Sequence, residues 1–526
     1  MYQYDTLSNK LVNITDYTFS SCYELSGALT IPDTVERIED SAFSNCYNIT
    51  QLNLNSNIKH IGNNAFQYCE KISNGLVIPK LVEYIGSSAF SFCCSIPSLK
   101  LNDVLTIINE NTFSSCYKLA GLQIPDSIDT ISSSAFAHCI TISSLQFNPT
   151  SKLEYIYSYA FYNCTGLANE LKLPDEMYTI GDYAFCHCTK ISSSTFPQTV
   201  SSFGEGVCKE CYGLRGKLST PPCLNKIPKN MYQSCIGITS ISFNENVDSI
   251  DQYAFYNCTG LEKTLRIPNS INTIEDYCFS YCTKIEAIQF SNSLSSIGGH
   301  AFEFCSGLKD TLTIPENIGT INEYAFSNCI NIAKLNFSEE LTTIKSHAFA
   351  YCIGITGNLS LPDSITTLGP YAFTGCSKIT EFNYPESISN NGLNAGVFMN
   401  CTSLRGNISF PERITSIPNY FVAHCINLEK LILHDKMRVV GASSFENCSK
   451  LSGSLEFPES LSQIGKRAFA NCVGFDDSLT LNKTITSIGP YAFANCTNLK
   501  HLILLEDLST LSQGCFYRCL SFDCSK

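Results

Sequence analysis

The sequence is poor in charged residues and in long apolar stretches, and both shortages exclude classes of protein. Only 15% of the 526 residues are charged, and the formal net charge is -13. No cluster of Lys and Arg occurs, whereas a protein that binds a phosphate backbone needs one. No stretch approaches the roughly 20 apolar residues that a membrane-spanning helix requires. The sequence therefore predicts neither a nucleic-acid partner nor a membrane span.

Targeting signals and catalytic motifs are also missing. Residues 1–5 have neither a basic segment nor an apolar core, so we expect no cleaved signal peptide. Residues 519–526 show no lipidation or anchor signal. No nucleophile-elbow serine, P-loop or dinucleotide fingerprint occurs. We therefore predict that the chain is not an enzyme and has no catalytic, cofactor or metal site.

The strongest feature is a repeated pattern, Ala-Phe-x-x-Cys, whose cysteine returns 22 times at steps of 23 to 25 residues. Phe occupies 19 of the 22 Phe positions, and the position five residues earlier is apolar in every copy. Because so short a unit cannot bury its apolar surface alone, the copies must stack on one another. Clear examples of the stacked Phe and Cys positions are Phe43, Cys46, Phe66, Cys69, Phe255, Cys258, Phe326, Cys329, Phe493 and Cys496.

Each repeat unit divides into three parts. Leu-x-Ile, as at Leu265–Ile267, has the alternation of a half-buried strand, and Pro268 closes it. Ile274 belongs to a second short extended piece. Phe and Cys stand three residues apart, as on one face of a helical turn. The Gly that often follows the second Ile is expected to supply a positive φ at the turn. These glycines are Gly62, Gly86, Gly181, Gly298, Gly465 and Gly489.

The fold class that follows is an α/β repeat solenoid, mostly short β-strands with helical or 3-10 turns. We expect one domain, residues 1–526, of about 22 repeats, with residues 1–22 and 520–526 as partial terminal repeats or caps. The strand segment ends in Pro mostly in alternate copies, the other copy usually lacking it, which indicates duplication of units of about 47 residues. Residues 197–235 depart most from the pattern, and Pro221-Pro222 is expected to interrupt a strand and kink the stack.

The segment Leu312–Cys329 reads Leu-x-Ile-Pro-x-x-Ile-x-x-Ile-x-x-x-Ala-Phe-x-x-Cys, which resembles the BspA-like leucine-rich-repeat family, also called Treponema pallidum-type repeats. The resemblance extends over residues 11–519. It implies a curved right-handed solenoid with a parallel sheet on its concave face. It also implies a surface protein of mucosal bacteria or protist parasites, such as a trichomonad-like surface antigen, that binds host cells or extracellular matrix. The family has no catalytic residues to transfer.

The 29 cysteines allow several interpretations. Periodicity explains the 22 repeated ones as small buried side chains with free thiols, while scattered disulfides and metal binding remain alternatives. Cys278 and Cys515 replace the repeat's Ala, and Cys208 replaces its Phe. Cys208-x-x-Cys211 and Cys186-His187-Cys188 look like redox or zinc motifs, but a closed zinc site needs four converging ligands. Four cysteines have no individual explanation: Cys94, Cys186, Cys223 and Cys524.

Histidines and sequons also follow the repeat. His138, His187 and His424 directly precede a repeated Cys, and we expect that position to face solvent. Adjacent residues on a tight turn diverge, which argues against a Cys–His catalytic pair. Sequons become glycosylation sites only on a secretory route. Six of them begin at Asn163, Asn257, Asn358, Asn400, Asn447 and Asn495.

The outward residues of the strands are the candidate binding face. Most are small and polar, so a solvated sheet face is the plain alternative. A stripe of basic and amide side chains could receive an acidic partner, and two exposed isoleucines could cap the stack or meet a partner. These candidates are Lys100, Gln123, Gln146, Lys172, Arg266, Gln289, Ile432 and Ile503.

The sequence thus predicts a monomeric, non-enzymatic protein-binding solenoid. The leading hypothesis is an adhesin or surface antigen, at the cell surface or secreted, that contacts a host surface or matrix protein. The alternative is a leaderless cytoplasmic scaffold, since reduced cysteines persist best in the cytosol.

Overall fold

The computed structural model describes residues 11–504 and 511–522. Parts of both expected terminal caps, residues 1–10 and 523–526, lie outside the described residues, as does Cys524. The chain divides into two compact units, unit 1 (Met1–Leu261) and unit 2 (Glu262–Lys526). Each unit is described by itself below, and the single continuous solenoid stays a prediction.

Unit 1 consists of short strands joined by turns. Its strands, β1 to β21 in chain order, are Asn13–Ile14, Gly27–Thr30, Arg37–Ile38, Ile49–Asn53, His60–Ile61, Leu76–Val77, Tyr84–Ile85, Leu99–Lys100, Ile107–Ile108, Leu122–Gln123, Thr130–Ile131, Leu145–Gln146, Tyr155–Ile156, Ala168–Lys172, Thr179–Ile180, Lys190–Thr195, Ser202–Phe203, Gly216–Ser219, Lys226–Ile227, Ile238–Ser242 and Ser249–Ile250.

Unit 2 has the same organisation. Its strands, β22 to β41, are Lys263–Arg266, Thr273–Ile274, Ile285–Gln289, Ser296–Ile297, Asp310–Thr313, Thr320–Ile321, Ile332–Asn336, Thr343–Ile344, Gly357–Leu359, Thr367–Leu368, Ile379–Phe382, Arg405–Ser409, Ser416–Ile417, Asn427–Ile432, Val439–Val440, Leu455–Glu456, Gln463–Ile464, Ser478–Leu481, Ser487–Ile488 and His501–Leu504.

Two kinds of strand alternate along the chain. Those that carry Leu-x-Ile, here called face strands, are the even-numbered strands from β2 to β32 and then β33, β35, β37, β39 and β41. The others, called short strands, are two residues long and contain the second apolar residue of the repeat, such as Ile274. In a face strand such as Asp310–Thr313, Leu312 is buried while its neighbours are exposed. Every pairing is parallel and joins equivalent positions, as the sequence predicted for stacked coils.

Face strands pair in twos, and this pairing is the structural form of the predicted double repeat. The pairs are β2–β4, β6–β8, β10–β12, β14–β16 and β18–β20 in unit 1, and β22–β24, β26–β28, β30–β32 and β33–β35 in unit 2, followed by the three-stranded β37–β39–β41. The first strand of most pairs starts with a left-handed residue and a register shift. Asn169, Gly216, Lys263, Asp310 and Gly357 are successive examples, with φ between 58° and 78°.

Stacked Phe rings form the core of each unit. The ring centroids of Phe302 and Phe326 are 5.4 Å apart with planes at 5°, and those of Phe326 and Phe349 are 5.5 Å apart. The equivalent rings of Phe43 and Phe66 in unit 1 are 5.3 Å apart. These rings are almost completely buried, and each removes a large apolar area from water. The stack is therefore a major contribution to the stability of each coil.

The predicted helical or 3-10 turn is wrong, because the described residues contain no helix. Tyr324 and Asn328 have φ of 54° and 60°, so a left-handed residue precedes both the Ala and the Cys of the repeat and breaks any helix. Backbone N–H groups of the turn then alternate between acceptors in their own coil and acceptors in the next coil. Cys329 donates to Phe326 in its own coil (3.3 Å), whereas Phe326 donates to Ala348 in the next (2.9 Å).

The predicted role of the glycines is also wrong. None of Gly62, Gly86, Gly181, Gly298, Gly465 and Gly489 has a positive φ. Glycine occupies these positions because neighbouring coils pack closely there. A Cβ built on Gly298 would lie 2.4 Å from the backbone nitrogen of Asp276. The left-handed positions belong instead to the Asn, Tyr, Ser and His residues of the turn.

The irregular region at 197–235 keeps its face strands. β18 ends at Ser219, before Pro221, and pairs with β20, so the two prolines do not interrupt it. The short strands are interrupted here instead, because β17 and β19 belong to different sheets. Pro228 follows Ile227 and has no N–H, whereas Gly204 at the equivalent position donates its N–H to Ile180. The predicted curvature and hand of the solenoid stay predictions.

Candidate protein-binding face

The residues predicted for the binding face all lie on face strands with exposed side chains. The charged and amide members lie on β8, β10, β12, β14, β22 and β24, and the isoleucines on β35 and β41. Ile432 and Ile503 are 44% and 43% exposed, as much as Ile236 and Ile426 in the turns. The eight exposed positions are Lys100, Gln123, Gln146, Lys172, Arg266, Gln289, Ile432 and Ile503.

The structure brings some of these residues together and separates others. Gln123 and Gln146 are direct cross-strand neighbours on β10 and β12. Arg266 and Gln289 are also neighbours, and the guanidinium donates to the amide oxygen. Lys100 is paired instead with exposed Val77 on β6. Of the eight predicted residues, the strand register therefore pairs only Gln123 with Gln146 and Arg266 with Gln289.

The repeated thiols have a polar role that periodicity did not reveal. The Cys46 thiol donates to the Phe19 carbonyl at 3.1 Å, and the Cys329 thiol to the Phe302 carbonyl at 3.2 Å. Each thiol thus links its coil to the carbonyl of the preceding coil. Burial raises the pKa of Cys46 to about 11 and that of Cys258 to about 12, so these thiols stay protonated at neutral pH.

The predicted stacked Phe and Cys positions are almost completely inaccessible. The Sγ of Cys69, Cys258 and Cys496 each lies 3.1 to 3.3 Å from the main-chain oxygen of the Phe position in the preceding coil. Because the acceptor is a main-chain oxygen, the thiol hydrogen bond also forms where Tyr232 replaces Phe. The positions buried to 1% exposure or less are Phe43, Cys46, Phe66, Cys69, Phe255, Cys258, Phe326, Cys329, Phe493 and Cys496.

Most off-pattern cysteines are buried as well. Cys208 and Cys278 are 0% exposed, and Cys186 and Cys515 are 4% exposed. Cys94 and Cys223 are half-buried. Over residues 11–504 and 511–522, no group of three or more potential ligands is placed to hold a metal ion, and this includes Cys186-His187-Cys188.

One hydrogen bond recurs where two neighbouring face-strand pairs meet. Just before the second pair begins, a backbone N–H donates to the equivalent carbonyl of the preceding coil. In unit 2 these bonds are Lys309 to Glu286, Thr356 to Ala333 and Ser452 to Glu429, each at 3.0 Å. Four similar bonds in unit 1 join Ser73 to Thr50, Ala120 to Pro97, Ala168 to Ser143 and Arg215 to Ser192. We call them pair-linking bonds.

Between β32 and β33, two successive face strands that belong to different sheets, the face opens into a cleft. A cleft of about 370 Å³ lies there, walled by residues 381–384 on one side and 404–409 on the other, with Leu428 beneath. The coil between Cys376 and Cys401 is 25 residues long, the upper limit of the repeat.

A match to a family model decides the family. The model, described as the BspA type leucine-rich repeat region with 6 copies, matches residues 3–120, 106–235, 225–356, 310–428 and 415–524. The chain belongs to the BspA-type leucine-rich-repeat family. The comparison with curated proteins found no significant match to this BspA-type chain.

Solved leucine-rich-repeat proteins resemble this BspA-type chain. A protein from Bacteroides ovatus is 23% identical, covers 71% of this chain and 88% of its own, and has a TM-score of 0.54. A leucine rich cell surface protein from Faecalibacterium prausnitzii is 18% identical over 82% and 88%, with a TM-score of 0.36. The leucine-rich-repeat protein of T. pallidum is 26% identical over 38% and 82%, with a TM-score of 0.29. The first supports the fold alone.

In this BspA-type chain His138, His187 and His424 are half-buried, where solvent exposure was expected. His138 accepts from Asn163 Nδ2 at 3.0 Å, and His424 accepts in the same way from Asn447 at 3.1 Å. His187 lies 2.9 Å from Glu210 in the next coil. The position is partly covered because each left-handed residue packs against its equivalent in the neighbouring coil.

Sequons fall into two structural groups. Those that precede a repeated Cys have a half-buried, left-handed Asn; they begin at Asn163, Asn257, Asn400, Asn447 and Asn495. Asn358 is exposed on β30.

Within the described residues, no helix has the length and hydropathy required to cross a bilayer.

Sequence reasoning missed Tyr384 and Arg405, although a signal was present. At intervals of 47 residues, Phe243, Phe290 and Phe337 occupy one half-buried position, and Tyr384 comes next in that series. Its hydroxyl is the departure that aligning the double repeat would have shown. Arg405 likewise stands where the preceding double repeat has Thr356.

Proposed function

We propose that this chain is a non-enzymatic protein-binding solenoid whose face strands supply the contact surface. One observation carries the proposal: the exposed middle residues of the face strands differ from coil to coil, as from Arg266 to Thr313 to Asn336, while the buried positions recur. Packing explains a recurring interior, whereas a varied exposed row provides the chemically distinct contacts that recognition needs. A long row of modest contacts would also add avidity.

The finer proposal is an adhesin or surface antigen that contacts a host cell-surface or extracellular-matrix protein. Membership of the BspA-type family supports it. Exposed Lys100, Lys172 and Arg266 are suited to an acidic partner, because long-range attraction raises association rates. Exposed Ile432 and Ile503 are suited to an apolar contact.

Two assays test this proposal together. Surface labelling of intact source cells measures exposure, and solid-phase binding of the purified chain to matrix proteins measures recognition. We expect labelling, and binding that weakens in Lys100→Glu with Lys172→Glu but not in Lys209→Glu, which lies off the face strands. Absence from the surface together with no matrix binding would refute the adhesin.

A cytoplasmic scaffold is the second candidate, and the thiol geometry favours it. Buried, protonated thiols such as Cys329, bound to backbone carbonyls, require no oxidising compartment. Fractionation of source cells separates the two candidates. A cytosolic protein with an unmodified Asn358 supports the scaffold, and a surface protein excludes it.

A further inference from the structure

A row of stacked rings covers the turns in part of unit 2. The left-handed residue before the repeat's Ala is Tyr or His in successive coils there, and each ring stacks on the next with centroids 4.3 to 5.1 Å apart. In one of these coils Ser280, which follows the repeat's Phe, is 0% exposed and its hydroxyl is fully covered. We call this row the turn ladder; its members are Tyr277, His300, Tyr324, His347 and Tyr371.

In unit 1 the turn ladder is interrupted and a trough lies in its place. The ladder position holds Ser88, Asn111 and Ser134 in three successive coils, each with the same left-handed φ. The trough has a volume of about 540 Å³, and its lining comes from the turns and not from the face strands. Replacing large rings by small polar side chains has therefore opened the turn surface.

Aromatic rings bound the trough at both ends. Tyr159 stacks on Tyr183 of the following coil at 5.3 Å, so its other face is directed toward the coil of Ser134. Phe92 stacks on Tyr68 of the preceding coil at 4.6 Å, so its other face is also directed into the trough. Tyr159 is 41% exposed, which leaves much of its ring available for contact.

Two hydroxyls in the trough wall are nearly buried and lack a protein partner. Ser91 and Ser115 are each 3% exposed, and neither side chain forms a hydrogen bond to a residue that the structure describes. Ser114 between them does have one, to the Ala137 carbonyl at 3.4 Å. Both unpaired oxygens remain open to the trough, unlike the fully covered oxygen of Ser280. A ligand that hydrogen-bonds them would remove an unfavourable state.

The lining of the trough is uncharged. It consists of Ser, Asn and Gln residues, one Ala, one His and three aromatic residues. Burial lowers the pKa of His138, so its imidazole is neutral at neutral pH. Its Nδ1 accepts from Asn163 at 3.0 Å, which leaves Nε2–H as a donor. Phosphates and carboxylates find no cation in this lining, whereas a neutral ligand rich in hydroxyl groups finds both donors and acceptors.

We propose that this trough binds a neutral oligosaccharide. One sugar ring stacks its C–H face on Tyr159, where the turn ladder would otherwise continue, because the negative face of an aromatic ring attracts polarised C–H bonds. Another ring lies against Phe92, and its hydroxyls exchange hydrogen bonds with Ser91 and Ser115. Three coil steps separate Phe92 from Tyr159, roughly 14 Å at ~4.8 Å a step, which is room for more than one ring. The site goes beyond the proposed protein contact, because it uses the turns.

Ser134→Tyr gives the sharpest test, because it continues the turn ladder onto Tyr159 and fills the trough. The full chain is first applied to an array of immobilised neutral and sialylated oligosaccharides, and the saccharide bound best is then titrated free in calorimetry. We expect the variant to bind at least about tenfold more weakly. Its melting temperature should be unchanged or higher, since the new ring can stack as Tyr324 does on His347. A merely structural role for Ser134 would lower both quantities.

Two further variants keep the test decisive if the added ring disturbs the fold. Tyr159→Ala removes the stacking face and should weaken the same saccharide about tenfold. Ser91→Ala combined with Ser115→Ala removes the unpaired hydroxyls and should have a similar effect, about tenfold. The matched controls Tyr324→Ala and Ser280→Ala change the same repeat positions within the turn ladder, and both should leave binding unchanged.

The two assays also distinguish the sources of the sugar. Binding to the array alone assigns the ligand to a glycan displayed at high density on a surface, and binding in both assays shows that a free saccharide is sufficient. The proposal is overturned if neither assay detects binding, if the bound saccharide is insensitive to the trough variants, or if the controls weaken it equally. Preference for sialylated over neutral saccharides would contradict the uncharged lining.

The trough and the face strands can fail independently. Saccharide binding that persists in Lys100→Glu with Lys172→Glu, while matrix binding is absent and cells show no surface labelling, retains the trough and refutes the adhesin. Matrix binding that persists in Tyr159→Ala, with no saccharide bound by the wild-type chain, refutes the trough and retains the proposed function.

Discussion

The interior of the coils and their exposed face follow opposite rules. Inside, successive coils repeat the same contacts, with the Cys329 and Cys352 thiols 3.2 and 3.1 Å from the preceding Phe-position carbonyls. Outside, neighbouring face strands carry unrelated residues, such as Thr313 and Asn336. The difference teaches that packing fixes the interior and leaves the face free to vary. Changes to the two regions should therefore have very different effects.

Alkaline pH should produce the largest effect, because it acts on all interior thiols together. An unfolded cysteine loses its proton near pH 9.0, whereas the folded pKa is about 12 for Cys258 and Cys352. Between these values the folded chain holds more protons, so stability is full below pH 9 and falls above it. The free energy of unfolding falls by about 1.4 kcal/mol per pH unit for each thiol. For ten thiols the fall is roughly 14 kcal/mol per pH unit.

Circular dichroism in the presence of a reductant measures this loss. We expect cooperative unfolding between about pH 9 and 10.5, since the summed loss exceeds the stability of a typical domain. A chain that remains folded well above that range would mean that its thiols are ionised or oxidised in the native state. The interior could then no longer be described as a set of buried, protonated thiols.

Truncating one interior ring should be the next largest effect. Phe326→Ala leaves a cavity between Phe302 and Phe349 and should destabilise the chain by about 3 to 5 kcal/mol. Thr313→Ala, on the exposed face of the same coil, is the control. Chemical denaturation should separate the two clearly, and equal effects would contradict the assignment of interior and face.

Two glycines of unit 2 test the close approach of neighbouring coils. Gly298→Ala places a Cβ 2.4 Å from the Asp276 nitrogen and should cost about 1 to 3 kcal/mol. Gly319→Ala meets nothing closer than the Glu340 carbonyl at 3.8 Å and should stabilise the chain by about 0.5 kcal/mol. Thermal denaturation of the pair should therefore show shifts of opposite sign. Shifts of the same sign would mean that coil spacing does not explain the glycines.

The smallest effect on stability should come from the face itself. Lys172→Glu changes an exposed residue at the end of β14 and should alter the free energy of unfolding by no more than about 0.5 kcal/mol. Its effect should appear in the association rate with an acidic partner instead. A large loss of stability would show that Lys172 has a packing role.

The strands and the buried positions could be predicted from the sequence because their cause is local and repeated. Alternating Leu-x-Ile gives strands, and the periodic Phe and Cys give the core, as at Phe326 and Cys329. The turn could not be predicted in the same way, because Ala-Phe-x-x-Cys also fits one helical turn. Only the preference of Asn328 and its equivalents for left-handed φ distinguishes the two.

The site was less accessible to sequence reasoning, because it depends on a departure from the repeat. Exposed Lys100 and Gln123 follow directly from strand alternation. The cleft is lined by Phe382 and Tyr384, which stand where the preceding double repeat has Leu335 and Phe337. Such differences acquire meaning only once neighbouring coils are placed in register, which the 47-residue spacing permits but does not by itself supply.

Counting reactive thiols in the native and denatured chain at pH 8, without reductant, tests the central claim most directly. The claim predicts slow native labelling confined to a few half-buried residues, chiefly Cys22, Cys94, Cys223 and Cys519. After denaturation the count should rise toward all 29 cysteines. Rapid labelling of most cysteines in the native chain, or a denatured count far below 29, would contradict a buried thiol interior.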